Sequence, residues 1–360
     1  MADRDRIRLV VLFGGRSAEH DVSRVSAFHV LGAVDRDRYD VVPIGITHDG
    51  RWVSASDAIA VLGAGAGSLP SPDSAPASSA IEPLPAVAPA SPGQQVVVLP
   101  LLHGPMGEDG TVQGLCELAG VPYVGAGVAS SALCMDKGLA KDVLAATGLP
   151  QCRHVTARLP GPGFATETIA TLGLPAFVKP ANLGSSIGIT KVHDLASLRA
   201  AVAEALRYDE YVVVEEAVAG REIEVAVLGN EAPRASVPGE IVPGHEFYDY
   251  DDKYLTDSAD LLIPAKLGDD EIAEVQRLAV AAYRALRVDG MARVDFFYEQ
   301  SGPSRGWLVN EVNTIPGFTP ISMYPKLWEA SGLSYADLVD ELVRLALERF
   351  ERRSRFGTTR

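Results

Sequence analysis

Met291-Ala292-Arg293-Val294-Asp295-Phe296-Phe297-Tyr298, the polar turn Glu299-Gln300-Ser301-Gly302-Pro303-Ser304-Arg305-Gly306, and Trp307-Leu308-Val309-Asn310-Glu311-Val312-Asn313 read as two β-strands around a Gly/Pro/Ser connection. Successive side chains of a strand point to opposite faces, so Arg293 shares a face with Asp295, and Glu311 with Asn313. If the two strands pair as neighbours, two carboxylates, a carboxamide and a guanidinium converge on one patch. Packing does not require that set. Oxygen ligands on adjacent strands suit a hard cation such as Mg²⁺, which keeps several waters and takes further ligands from a nucleotide's phosphates. The chemistry implied is phosphoryl transfer. Directly after the second strand, Thr314-Ile315-Pro316-Gly317-Phe318 forms a Pro-Gly turn whose backbone N–H groups can face a ligand and donate to a developing oxyanion.

Composition narrows the alternatives around this hairpin. A chain of 360 residues, 47% hydrophobic and 22% charged, is long enough for two or three domains with cores of their own. The formal charge of -15 argues against a nucleic-acid or anionic-membrane surface, which needs clustered Lys and Arg. Cys116, Cys134 and Cys152 are few, odd in number and not in metal-ligand spacing, as expected of reduced thiols in a cytosolic protein. The apolar run Leu9 to Phe13 before Gly14-Gly15 is too short for a signal peptide and reads as a first buried strand, and no transmembrane stretch is present.

Strand-like runs at Leu9 to Phe13, Val41 to Ile46 and Val96 to Leu101 alternate with helical or loop stretches, the pattern of a mostly parallel α/β domain over residues 1–126. Within it, residues 58–95 collapse into Ala, Ser, Pro and Gly and are expected to be a mobile surface insert that builds no core. Residues 127–216 give a helix from Asp136 to Thr147 stopped by Gly148-Leu149-Pro150, strands near Ala176 and Ile189, a helix after Asp194 and a strand at Tyr211 to Glu216, a compact α+β unit. Residues 217–360 hold Arg221 to Leu228, a Tyr/Asp-rich loop at Gly244 to Asp260, a helix from Asp269 to Leu286, the hairpin, and an amphipathic helix from Tyr335 to about Arg353.

Ala176-Phe177-Val178-Lys179-Pro180-Ala181-Asn182-Leu183-Gly184-Ser185-Ser186-Ile187-Gly188-Ile189 is a strand ending in a lysine, a small-residue loop and a second strand. It is not a Walker A loop, since Gly-Lys-Ser/Thr is missing and no helix follows. It reads as a flap whose small residues let backbone N–H groups close over phosphates while Lys179 supplies charge. Lys137, near a helix start, and Lys253, in the Tyr/Asp loop, are further lysines that can converge on a triphosphate. The strand–linker–strand segment Val212 to Glu224 can present backbone groups to an adenine edge and a carboxylate to a ribose.

Taken together, the chain resembles the ATP-grasp enzymes and, within them, the D-alanine:D-alanine ligase family. The resemblance rests on Gly14-Gly15-Arg16-Ser17-Ala18-Glu19-His20-Asp21-Val22-Ser23, His103-Gly104-Pro105-Met106-Gly107-Glu108-Asp109-Gly110, Met135-Asp136-Lys137, Val178-Lys179-Pro180 with Gly184-Ser185-Ser186, Phe247-Tyr248-Asp249-Tyr250 through Lys253-Tyr254, and Asn310-Glu311-Val312-Asn313-Thr314 with Pro316-Gly317. It implies an ATP-grasp fold, with an N-terminal mostly parallel α/β domain and two domains enclosing the nucleotide. It also implies that ATP phosphorylates one D-alanine carboxylate and that a second D-alanine's amine attacks the acyl phosphate.

By the same resemblance, Asp295, Glu311 and Asn313 hold two Mg²⁺ or Mn²⁺ ions, and Lys137, Lys179 and Lys253 bind phosphates with Ser185 and Ser186. Glu215, Glu216 and Val218 line the adenine, Glu222 contacts the ribose, and Phe247 packs on the base. Glu19, with His103 beside it, holds the first substrate's ammonium. Arg293 and the Gly317 N–H are oxyanion donors, while Ser322 and the Met323 N–H receive the second substrate's carboxylate. Ser185, Tyr254 and Glu19 form a hydrogen-bonded set that closes the Tyr248 to Tyr254 loop. Leu183 and Glu216 depart from residues some relatives carry, which bears on nucleotide affinity. The resemblance further implies peptidoglycan synthesis in the cytoplasm, a homodimer, and a monovalent cation as a candidate activator.

Three rivals stand beside this reading. A depsipeptide ligase using D-lactate would lack Tyr254 or differ in its loop. An ATP-binding regulator without catalysis would have no use for intact Arg293, Asp295, Glu311, Asn313, Ser185 and Ser322. A dinucleotide-dependent dehydrogenase, suggested by Gly14-Gly15 after a strand, lacks an evident third glycine and ribose carboxylate.

Overall fold

The computed structural model describes residues 6–63, 67–184, 187–242, 260–302 and 304–357. Its N-terminal sheet is built on Ile7–Gly14 (β1), Tyr39–Ile46 (β2), Trp52–Ser54 (β3) and Val96–Pro100 (β4), in the order β3-β2-β1-β4. β1 runs parallel to β2 and to β4, and only the edge strand β3 is antiparallel. Being central, β1 is covered on both faces, which is why Leu9 to Phe13 is an unbroken apolar run. Gly14 and Gly15 then turn the chain into the helix His20–Ala33, placing Ser17 and Glu19 at the carboxyl end of the sheet. Ligands of open parallel sheets bind at that end.

One expectation is corrected in this domain. The Ala/Ser/Pro stretch does contribute to the core: it carries short 3₁₀ turns and the helix Pro83–Val87, and both Leu69 and Val87 are fully buried. Arg24 donates to the Leu69 carbonyl from Nε at 2.9 Å, and Asp73 accepts from His48 Nδ1 at 2.6 Å. Low hydrophobic content disfavours a core of its own, yet single apolar residues can still dock on a neighbouring one.

The second sheet comprises His154–Arg158 (β5), Ala176–Pro180 (β6), Thr190–Val192 (β7) and Tyr211–Glu216 (β8), antiparallel in the order β5-β8-β6-β7. Helices Phe164–Leu172 and Leu195–Ala205 cover it, the latter started by a capping box between Asp194 and Ser197. Asp136 caps the helix Lys137–Ala146 by accepting from the Leu139 N–H at 3.0 Å, so Lys137 falls at the helix's first position.

The third sheet holds Arg221–Leu228 (β9), Arg234–Ala235 (β10), Gly239–Val242 (β11), Asp260–Leu262 (β12), Met291–Glu299 (β13) and Gly306–Asn313 (β14), in the order β12-β11-β9-β13-β14 with β10 beside β9. Helix Asp269–Ala285 packs its apolar side, including Val275, Leu278 and Tyr283, on one face of this sheet. The opposite face is divided: Ala226, Leu228 and Met291 pack against the helix Met323–Ala330, and the polar residues of the hairpin take the rest. Helix Tyr335–Ser354 ties the N-terminal sheet to the third one: its Arg349 is buried and donates to the carbonyls of Gly125 (2.5 Å) and Tyr123 (3.1 Å). No helix among the described residues is long and apolar enough to cross a membrane.

Candidate active site

In the β13–β14 ladder Arg293 stands opposite Asn313 and Asp295 opposite Glu311, as the alternation of the two strands requires. Strict alternation would also put Val309 and Trp307 on the face of Glu311. A bulge between Asp295 and Phe296 prevents this: Phe296 pairs with Val309, leaving Asn310 as the extra residue. Val309 and Trp307 therefore turn into the core while Glu311 and Asn313 stay on the polar face.

On its other edge β13 pairs with β9, which sets Glu224 opposite Asp295 and Glu222 opposite Phe297. Arg293 lies between two carboxylates, 2.7 Å from Asp295 and 2.9 Å from Glu224. The Asn313 amide donates to Asp295 at 2.9 Å. Burial alone would lower the pKa of Arg293, but Asp295 and Glu224 raise it well above the usual value, so the guanidinium is a permanent cation. Asp295, Glu311 and Asn313 offer hard oxygen donors from adjacent strands, a set that fits a divalent metal carrying phosphate ligands.

These residues form the floor of a cleft of about 640 Å³, within the range of small-molecule sites. Lys179, at the end of β6, places its ammonium 2.7 Å from Glu215 on β8. Lys137 donates to the Leu183 carbonyl at 2.5 Å, and burial lowers its pKa despite the pull of the nearby Glu311. Two lysines thus sit on one wall with the acidic cluster below.

The N-terminal domain supplies the opposite wall. Glu19 is buried, and its carboxylate lies between two glycines: a Cβ on Gly184 would stand 2.9 Å, and one on Gly104 3.0 Å, from Glu19 Oε2. At Gly184 the flap loop therefore approaches Glu19 so closely that a Cβ there would require the carboxylate to shift. Loop 103–108 also grips Ile315 at both backbone groups. The Ile315 carbonyl accepts from His103 Nδ1–H at 3.1 Å, and Glu108 accepts from the N–H groups of Ile315 and of Gly104, the latter at 2.6 Å. Burial lowers the His103 pKa, so the ring is neutral; burial and the neighbouring Glu19 raise that of Glu108. This grip fixes the turn that carries Gly317.

His103 is thus placed as a brace, with its other ring nitrogen 3.5 Å from Ser26 Oγ, and direct contact with a substrate would require one nitrogen to change partner. Ser322 lies beside Gly317, its Oγ accepting from the Thr319 N–H at 3.0 Å, and Met323 opens the helix Met323–Ala330 with its N–H at the positive end of the helix dipole. Glu215 and Glu216 point to opposite faces of β8. Glu215 turns to the lysines, whereas Glu216 is held by Arg153 Nε (2.8 Å) and Arg305 (2.5 Å), so only its backbone is left to face an adenine edge. Val218 and Glu222 line the cleft. Ser185, Ser186, Phe247, Lys253 and Tyr254 lie outside the described residues.

Three residues of this site have no role of their own in the sequence reading. Glu224 is two positions after Glu222 and shares its face of β9; strand alternation contains that signal. Lys141 is one helical turn after Lys137 and reaches Glu215 from beneath the cleft, at 3.2 Å. Glu108 could not be found from spacing, because its partner Ile315 is brought near only by the packing of domains.

Comparison with known proteins identifies the family. The family described as D-ala D-ala ligase N-terminus matches residues 8–126, and that described as D-ala D-ala ligase C-terminus matches residues 143–344. A D-alanine–D-alanine ligase of Nocardia farcinica is 50% identical, covering 96% of this chain and 98% of the relative. One from Arthrobacter sp. (strain FB24) is 49% identical over 95% of this chain and 94% of its own. The solved D-alanine-D-alanine ligase of Coxiella burnetii superposes with a TM-score of 0.84 at 38% identity, covering 98% of this chain and 97% of that one. The VanG D-Ala:D-Ser ligase of Enterococcus faecalis gives 0.82 at 36%, covering 95% and 99%. This chain belongs to the D-alanine–D-alanine ligase family, ATP-dependent ligases of the ATP-grasp fold that form a carbon–nitrogen bond.

Proposed function

We propose that the cleft joins two D-alanine molecules to give D-alanyl-D-alanine, with ATP converted to ADP and phosphate. The observation that carries this reading is the single polar face on which Arg293, Asp295, Glu311 and Asn313 meet, beneath Lys137 and Lys179 and beside the Gly317 turn. A carboxylate of the first D-alanine attacks the γ-phosphorus and ADP leaves. The second D-alanine, its ammonium deprotonated, then attacks the acyl carbon, and inorganic phosphate leaves the tetrahedral intermediate.

Each residue answers one need of that sequence. Lys137 and Lys179, with Lys253, Ser185 and Ser186, hold the phosphates. The 215–218 segment faces the adenine with Phe247 against it, and Glu222 takes the ribose. Glu19 pairs with the first substrate's ammonium. Arg293 and the Gly317 N–H donate to the oxygen on which charge develops; one such donor is worth roughly 10²- to 10³-fold in rate. Ser322 and the Met323 N–H take the second carboxylate, and Tyr254 with Ser185 and Glu19 closes the loop against water. Two Mg²⁺ or Mn²⁺ ions on Asp295, Glu311 and Asn313 supply neutralisation of the charge on nucleotide and transferred phosphate. A monovalent cation is a candidate activator, a homodimer the assembly to look for by light scattering, and the cytoplasm the compartment that supplies ATP.

Mass-spectrometric product analysis tests the reading, with ATP, Mg²⁺ and D-alanine and with L-alanine, D-lactate and D-serine as separate competitors. A D-alanyl-D-alanine peak requiring ATP and the D-isomer is expected. A lactate ester or a D-alanyl-D-serine product in preference to it would refute the assignment of the second substrate. The names of the matching relatives do not favour the depsipeptide alternative.

A further inference from the structure

Lys137 and Lys141 stand one turn apart on the helix Lys137–Ala146, yet they meet different surroundings. Lys137 borders the cleft, while Lys141, at 2% exposure, lies beneath its wall. Its ammonium is 3.2 Å from Glu215 Oε1, 3.5 Å from Cys152 Sγ and 3.4 Å from the carbonyl of Asn310, the bulged residue that precedes Glu311. The other oxygen of the same carboxylate receives Lys179 at 2.7 Å. One buried carboxylate is therefore shared by two ammoniums, one at the cleft wall and one below it.

Lys179, on the reading above, turns to the nucleotide's phosphates. An ammonium that does so weakens its bond to Glu215, and a carboxylate left without a partner at 3% side-chain exposure either opposes the movement or takes up a proton. The other groups around Glu215 offer little relief: the Cys152 thiol is raised in pKa by burial and stays neutral, burial lowers the His154 imidazole on β5, and Lys137 acts only from a distance while Glu311 pulls on both cleft lysines.

We propose that Lys141 is a positioning residue for nucleotide binding: it keeps the Glu215 carboxylate paired while Lys179 exchanges that carboxylate for phosphate. The same ammonium, through the Asn310 carbonyl, holds the β14 bulge in register with the lysine pair.

The proposal rests on the reading that Lys179 binds phosphate, and the test separates the two. Calorimetry of a Mg²⁺-bound, non-hydrolysable ATP analogue, run in two buffers of different ionisation enthalpy, gives affinity and proton uptake together. Relative to the wild type, Lys141→Met is expected to bind about tenfold more weakly or worse and to take up as much as one additional proton at neutral pH, with the KM for D-alanine unchanged. Lys141→Arg should restore both quantities. Should Lys141→Met fail to fold, the double variant Lys141→Met with Glu215→Gln removes the unpaired charge and should bind without proton uptake. Wild-type affinity and unchanged proton uptake in folded Lys141→Met, while Lys179→Met loses affinity, would overturn the role of Lys141 alone. Unchanged affinity in Lys179→Met would overturn the phosphate role of Lys179 and this proposal with it.

Discussion

Replacing Gly317 by alanine tests how the oxyanion turn and the second-substrate site are coupled. A Cβ at this position would stand 2.6 Å from Ser322 Oγ, whereas ordinary van der Waals contact begins near 3.4 Å, so the hydroxyl must move by about 0.8 Å or change rotamer. Either response breaks its bonds to the Thr319 N–H (3.0 Å) and to Thr319 Oγ1 (2.7 Å). At about 0.5–1.5 kcal/mol net for each bond, the loss is about 1–3 kcal/mol, or roughly 5- to 150-fold in kcat/KM for the second D-alanine. The double-mutant cycle sharpens the test. In Ser322→Ala the hydroxyl is gone and the nearest remaining atom, the Cβ of residue 322, is 3.5 Å away, so adding Gly317→Ala should cost little more. Initial rates against D-alanine at saturating ATP, for all four enzymes, measure the coupling energy, expected to match the single-variant loss of about 1–3 kcal/mol. Additive losses, or a Gly317→Ala enzyme with unaltered use of the second substrate, would refute the reasoning.

Glu311→Gln keeps the fold but weakens the oxygen donor set, so ADP release coupled to pyruvate kinase and lactate dehydrogenase should fall by at least about 10²-fold; normal release would show that the metals do not rest on Glu311. Chelation by EDTA should abolish turnover, and added Mg²⁺ or Mn²⁺ should restore it, with recovery by neither excluding the assigned metal class. The pH dependence of stability follows from Glu215, whose carboxyl is buried but held well below its usual pKa by Lys141 and Lys179. A depressed pKa contributes stability above the unfolded value of 4.5 that is lost as pH falls below it. The Tm advantage of the wild type over Glu215→Gln should therefore be constant from neutrality to about pH 5 and shrink at lower pH; a gap independent of pH would contradict the ion-paired assignment.

Much of this was legible in the chain because it depended on local periodicity. The run Leu9 to Phe13, the alternation Arg293-x-Asp295 and Glu311-x-Asn313, and the Asp136 and Asp194 helix starts each have a sequence signal that geometry carries directly into structure. The close approach of Gly184 to Glu19 had no such signal, since the small residues of that loop read only as a flap over phosphates. What failed to show was whatever needed two distant segments at once. The bulge at Asn310 decides which residues of β14 face the cleft, yet Trp307 to Asn313 reads as plain alternation until its pairing with β13 is known. Docking on the N-terminal core gives Leu69 and Val87 a burial that their Ala/Ser/Pro surroundings conceal.

Which side chains are available for the chemistry, and which of them share a face through the strand and helix periods, is written in the chain. How their charges are divided depends on the packing of the folded molecule. Glu215 and Glu216 are adjacent in the chain, but one is sandwiched between two buried ammoniums and the other is braced by Arg153 and Arg305. The physical reason is that burial and Coulomb interaction act through space. The pKa and partner of an ionisable group belong to the fold's packing, and no single segment of the chain contains them.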